Sequence, residues 1–277
     1  VKKFFGVLLI VVGVSSSVSA ADLPRAPYTK APVAPISTWT GFYAGLNLGY
    51  GFNDPTVAYT PNDPTAAGLF GTPGPQPSSY NIEGILGGVQ VGYNWQIAPT
   101  WLLGLEADFQ GSRIKGSASP SNFTAAVPLA ARSEQQLDWF GTVRARVGFL
   151  ANERLLVYGT GGLAYGSLHN SAQLATTTAA GVGIAGAFGV LCPGGAGVVC
   201  MTGSENKLQT GYTVGGGLEF AVWQNVTLKA EYLYVNLGTS SVTAFAINPL
   251  GATPASFTAN FSDFDFHVVR AGVNYRF

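Results

Sequence analysis

Two short motifs in the chain carry residue types suited to chemistry. His169-Asn170-Ser171 sets an imidazole two residues from a hydroxyl, the pair from which some lipid hydrolases build a nucleophile. An imidazole used that way needs a carboxylate to orient it, and no Asp or Glu follows within 30 residues. His169 therefore reads as a solvated loop histidine. Gly181 to Gly186, "GVGIAG", matches the dinucleotide fingerprint, but a Thr/Ala run precedes it instead of a strand. It reads as loop. Cys192 and Cys200 flank "PGGAGVV"; in an exported chain they are expected to form a disulfide, and neither has a second Cys or His at metal-ligand spacing.

The remaining candidates are charges spaced in twos. Glu106 and Asp108, Arg144 and Arg146, Lys229 and Glu231, with Glu219 and Arg270, make four acids and four bases. Alternate positions of a strand share one face. Counted from the short turns between strands, all eight fall at about one height. Such a band could act as an ion-selective filter or as a satisfied structural plug, and the plug is favoured because opposite charges in a narrow interior should pair.

The elements that would hold them follow strict period two. In "TGFYAGLNLGYGF", Phe42, Ala44, Leu46, Leu48, Tyr50 and Phe52 alternate with Gly41, Tyr43, Gly45, Asn47, Gly49 and Gly51. The pattern returns at Ile85–Ile97, Trp101–Gln110, Leu137–Phe149, Tyr212–Val222, Thr227–Tyr234 and Val269–Phe277. Leu137, Trp139, Val143, Val147 and Phe149 are assigned to one face of the fourth. A Gly-rich fifth strand, 155–166, has no clear face. Each is near the roughly 9–11 residues a tilted strand needs to cross a bilayer. Tight connections at 98–100, 151–154 and 223–225 alternate with long ones at 54–82, 112–134, 167–207 and 238–263, rich in Gly, Pro, Ser, Thr and Ala. The stretch 179–201 holds seven glycines and Pro193, which opposes a spanning helix, and reads as the tip of the third long loop. His267 falls on the lipid side of the last strand, where an interfacial role is favoured over that of a haem ligand.

Residues 1–20 have a basic start, a short apolar run and small residues before Ala20, the form of a signal peptide, and Val1 is consistent with a literally translated non-ATG start. Residues 21–38 carry four prolines and read as a linker, leaving 39–277 for the barrel. Without Lys2 and Lys3, 12 basic residues face 14 acidic ones, so no basic field attracts nucleic acid.

Alternation alone does not separate a membrane barrel from a soluble one. Glycine-rich polar faces suit a narrow lumen, and Trp95, Trp101, Trp139, Phe149 and Trp223 sit near strand ends as interface girdles do. The last strand ends on Phe277, and closure against the first strand would remove its open edge. The expectation is an all-β, eight-stranded antiparallel transmembrane β-barrel with short periplasmic turns and four long extracellular loops.

"WTGFYAGLNLGYGF", "GGVQVGYNWQ", "DWFGTVRARVGF", "LLVYGTGGLAYG", "LKAEYLYVNLG" and "RAGVNYRF" resemble the small outer-membrane immunogenic proteins of alphaproteobacteria, a porin-like, opacity-type family with an OmpA-like barrel. The resemblance implies a surface antigen of the Gram-negative outer membrane, in contact with lipid and lipopolysaccharide. It also implies that Val273, Tyr275 and Phe277 form the signal read by the barrel-insertion machinery. It carries no catalytic motif and no cofactor. A narrow diffusion channel is the alternative it leaves open, and capture of haem or another ligand by the loops is a further one.

Overall fold

The computed structural model describes residues 38–71, 74–119, 129–177, 195–248 and 254–277, all within one compact unit, Ser37–Phe277. The expected signal peptide, nearly all of the linker, Cys192 and the Gly181–Gly186 motif lie outside the described residues.

Twelve strands and one short helix follow in chain order: β1 Gly41–Asn53, β2 Thr56–Pro61, α1 Pro64–Phe70, β3 Ser78–Ser79, β4 Ile82–Gln96, β5 Trp101–Ala118, β6 Leu129–Asn152, β7 Leu155–Thr176, β8 Val199–Ala221, β9 Val226–Asn236, β10 Ser240–Ala246, β11 Ser256–Phe261 and β12 Asp265–Arg276. Eight of them, β1-β4-β5-β6-β7-β8-β9-β12, form an antiparallel ring. The seam closes from Tyr43 opposite Arg276 to Phe52 opposite His267. The last strand is thereby paired with the first, as expected.

The ring is apolar outside and polar inside. Leu46, Leu48, Val91, Leu105, Val143 and Val269 are each more than half exposed, whereas Gln90, Asn94, Thr142, Arg144 and Asn274 are buried. Glycine on the inner face makes room for large side chains. A Cβ on Gly92 would meet the Tyr43 ring at 2.4 Å, and one on Gly217 would meet the Tyr158 hydroxyl at 2.8 Å. The fifth strand, whose face the sequence leaves open, corresponds to β7, which turns Val157 and Leu163 outward and Leu156, Tyr158 and Thr160 inward.

Much of what the four long connections hold among the described residues is regular, which the sequence pattern does not show. β5 and β6 stay paired up to Ala118 opposite Ser133, and β7 and β8 up to Ala175 opposite Val199. The β10–β11 hairpin continues this sheet from β8, and β2 joins β11. Here the polarity reverses. Val57, Ile114, Leu168, Val242, Phe257 and Phe266 pack inside as a hydrophobic core, while the outward face is mostly polar, with Phe245 and Ile247 exposed. Small residues hid the alternation: in "SSVTAFA" only Val242, Ala244 and Ala246 mark the buried side. Asp63 caps α1 by accepting the Ala66 N–H at 2.9 Å, and Leu69 and Phe70 enter the same core.

A correction concerns the fourth strand of the sequence reading, now part of β6. A bulge between Leu137 and Trp139 shifts the face by one residue, so Leu137 is buried inside and Asp138 is exposed outside. The extra residue is where the strand changes from a membrane-spanning to a water-soluble pattern.

Candidate functional site

The site is the lumen, and it is built from one strand step per charge. β5 contributes Glu106 and Asp108, β6 Arg144 and Arg146, β8 Glu219, β9 Lys229 and Glu231, and β12 Arg270. Period two turns each of them inward, and the antiparallel register sets Glu106 opposite Arg144 and Glu231 opposite Arg270. All eight are at most 5% exposed.

They form a single network. Arg144 pairs with Glu106, with Asp108 at 2.9 Å and with Glu231 at 3.1 Å. Arg270 reaches Glu231 at 2.5 Å and Asp108 at 2.9 Å. Lys229 donates to Glu106 at 2.8 Å, and Arg146 to Glu219 at 2.8 Å. Hydroxyls and amides add further contacts to the acids. Tyr43 donates to Glu106 at 2.6 Å, Tyr158 to Glu231 at 2.9 Å, Thr142 to Asp108 at 2.8 Å and Asn274 to Glu219 at 2.9 Å. Four positive and four negative charges leave the band formally neutral. Burying any one of them alone would cost several kcal/mol, roughly, so each depends on the others.

Below the band the lumen holds a buried residue that the sequence pattern does not single out. Trp39, just before β1, is 2% exposed and packs with Leu102, Leu150, Leu156, Tyr158 and Ala221. Its indole N–H donates to the Glu153 carbonyl at 3.2 Å, and the Arg276 guanidinium lies 4.6 Å above its ring. The signal was one Trp at the edge of a Pro-rich stretch, read as a boundary. Above the band, Tyr80 donates to Gln135, which donates to Asn170 at 2.9 Å and Ser240 at 3.1 Å; Tyr59 donates to Ser133 at 3.1 Å. These braces tie the connection after β1 to the opposite wall, and burial pushes both phenol pKa values up.

Outside, two aromatic belts bound the apolar band. Phe42, Tyr93 and Trp95 make edge and tilted contacts at one end, and Trp101 meets Phe149 edge-on. Phe109–Trp139–Tyr165 and a cluster of Phe52, Tyr232, Tyr234 and His267 mark the other. His267, as expected, faces outward there, and Tyr232 O–H lies 2.7 Å from its Nδ1. His169 is not in a loop. It lies in β7, opposite Asn206 of β8, and its ring contacts the Asn206 amide. Both histidines of the chain thus lie on the outer wall, away from the buried carboxylates.

Val273, Tyr275 and Phe277 all face outward, and Phe277 N–H donates to the Phe42 carbonyl at 3.0 Å. Cys200, at the start of β8, is buried and is not a free thiol.

Residues 7–277 match the model of the outer membrane protein beta-barrel domain. The chain is 38% identical over 272 residues to the 31 kDa outer-membrane immunogenic protein of Brucella melitensis, covering 95% of both. It is 30% identical over 207 residues to the 22 kDa outer membrane protein of Rhizobium leguminosarum, covering 75% of this chain and 68% of that one. Among solved structures, the outer membrane protein OprG from Pseudomonas aeruginosa aligns with a TM-score of 0.46 at 10% identity, covering 87% of this chain and 99% of that one.

Proposed function

The chain belongs to the outer membrane protein beta-barrel family, and from that premise we propose that it is a surface-exposed structural barrel whose lumen is closed. It is neither an enzyme nor a diffusion pore on this reading. The carrying observation is the neutral ring of Glu106, Asp108, Arg144, Arg146, Glu219, Lys229, Glu231 and Arg270, each charge held by at least one opposite partner. An eight-stranded interior is just wide enough for side chains to fill it. Trp39 and its apolar neighbours support the same conclusion from below, and the packed core supports it from above.

The outward cap is the surface offered to the surroundings, which fits the immunogenic names of the relatives. Residues 1–20 serve export and 21–38 act as a periplasmic lead into the barrel. Val273, Tyr275 and Phe277 act as the insertion signal, Cys192 bonds to Cys200, and lipopolysaccharide surrounds the upper wall. Liposome swelling tests the closed lumen. Proteoliposomes holding the refolded chain should shrink and recover in small-sugar gradients no faster than empty ones. Faster recovery would make the barrel a pore.

A further inference from the structure

Above the outer aromatic belt, the outward wall of β4 to β7 carries two adjoining polar hollows. One, of about 430 Å³, is lined by Asn81, Glu83, Lys115, Ser117, Arg132 and Glu134. The other, of about 270 Å³, shares Arg132 and Glu134 and adds Ser171 and Gln173. The ladder places these side chains next to one another: Glu83 is opposite Lys115, Ser117 opposite Glu134, Glu134 opposite Ser171 and Arg132 opposite Gln173. The ion pairs among the described residues all lie in the lumen, so Lys115 and Arg132 stand on this wall without one.

Resting on the reading of the chain as an outer-membrane barrel, we propose that this wall binds the acidic inner-core saccharide of the outer-leaflet glycolipid. Height selects the chemistry. Lys115 pairs with Gln136, three residues along β6 from the belt residue Trp139, and Arg132 is seven along. At about 3.3 Å per residue and a tilt of about 40°, they stand roughly 8 and 18 Å above the belt. That is beyond the acyl chains and the phosphates at their head, in the layer of sugar acids. Composition selects it too. Lys115 and Arg132 take the carboxylate of a sugar acid, Arg132 through its planar fork. Asn81, Ser117, Ser171 and Gln173 pair with hydroxyls, and Glu83 and Glu134 accept from hydroxyls while repelling a bare phosphate cluster. A polyhydroxy acid satisfies both signs at once.

The test uses the full chain refolded in micelles. Binding is followed by native mass spectrometry, with two purified glycolipids as probes. One is rough lipopolysaccharide carrying inner-core sugar acids, and the other is the same lipid stripped of them by mild acid. Lys115→Ala with Arg132→Ala should weaken binding of the core-bearing lipid by about tenfold and leave the stripped lipid unchanged. Equal binding of the core-bearing lipid by wild type and variant overturns the proposal. So does an equal loss with the stripped lipid, which moves the contact down to the phosphates. Retained fast mobility of the unheated variant on a denaturing gel shows that the barrel is intact. Absence of that mobility in the wild type would instead sink the barrel reading beneath it.

Discussion

Arg146→Ala should be the most damaging single truncation in the charged band. Among the described residues Glu219 has one ion partner, Arg146, at 2.8 Å; its other contacts, Thr227 at 2.5 Å and Asn274 at 2.9 Å, are neutral. Losing the guanidinium strands a carboxylate that is 1% exposed, a change worth about 3–5 kcal/mol. The cation also lies 4.0 Å over the Tyr158 ring, a desolvated contact worth up to about 2 kcal/mol. Arg144→Ala touches more acids but strands none. Glu106 keeps Lys229, Asp108 keeps Arg270, and Glu231 keeps Arg270. Its cost should fall near the lower end, about 3 kcal/mol. Urea unfolding of the refolded protein in micelles, followed by tryptophan fluorescence, measures both. Adding Glu219→Gln to Arg146→Ala should recover about 1–3 kcal/mol, because the stranded charge is gone. Strict additivity of that pair, or Arg144→Ala costing more than Arg146→Ala, would mean that a stranded carboxylate does not set these costs.

Four other outcomes follow from the same structure. Arg144→Ala combined with Glu106→Ala should cost less than the sum of the two single changes in the same unfolding assay, since the two share one ion pair. Trp39→Ala should destabilise by about 3–5 kcal/mol and open the lower lumen, so that a cysteine replacing buried Thr227 reacts with a water-soluble thiol reagent that does not reach it when Trp39 is present. Deleting Phe277 removes its bond to Phe42 and the end of the outward aromatic row; cell fractionation should find the product degraded in the periplasm instead of at normal outer-membrane levels. Peptide mapping without reductant should recover Cys192 and Cys200 in one linked fragment, and two separately alkylated thiols would exclude the bond.

The membrane half of this fold was legible because its code is simple. Leu46, Val91, Leu105 and Val269 alternate with Asn47, Gln90, Glu106 and Arg270, and the bilayer enforces that alternation over the whole crossing. Counting from tight turns was enough to bring eight charges to one level, because antiparallel register carries heights faithfully between neighbouring strands. Above the belt the code inverts and weakens. Ser, Thr, Ala and Gly suit either a loop or a strand whose core is filled from elsewhere, so β10 and β11 could be found only through the residues they pack against. The bulge at Leu137–Trp139 left no local mark, because "LDW" fits either phase. Trp39 was invisible as a seal for a different reason. Its partners Leu102, Leu150, Leu156 and Ala221 are scattered over four strands and meet only when the ring closes.

A barrel closed by opposite charges and an apolar seal should pass no steady current across a planar bilayer. The refolded wild-type chain should insert without producing a stable conductance step. A steady open channel whose ion selectivity shifts in Glu106→Ala or Arg144→Ala would contradict it and make the charged band a filter.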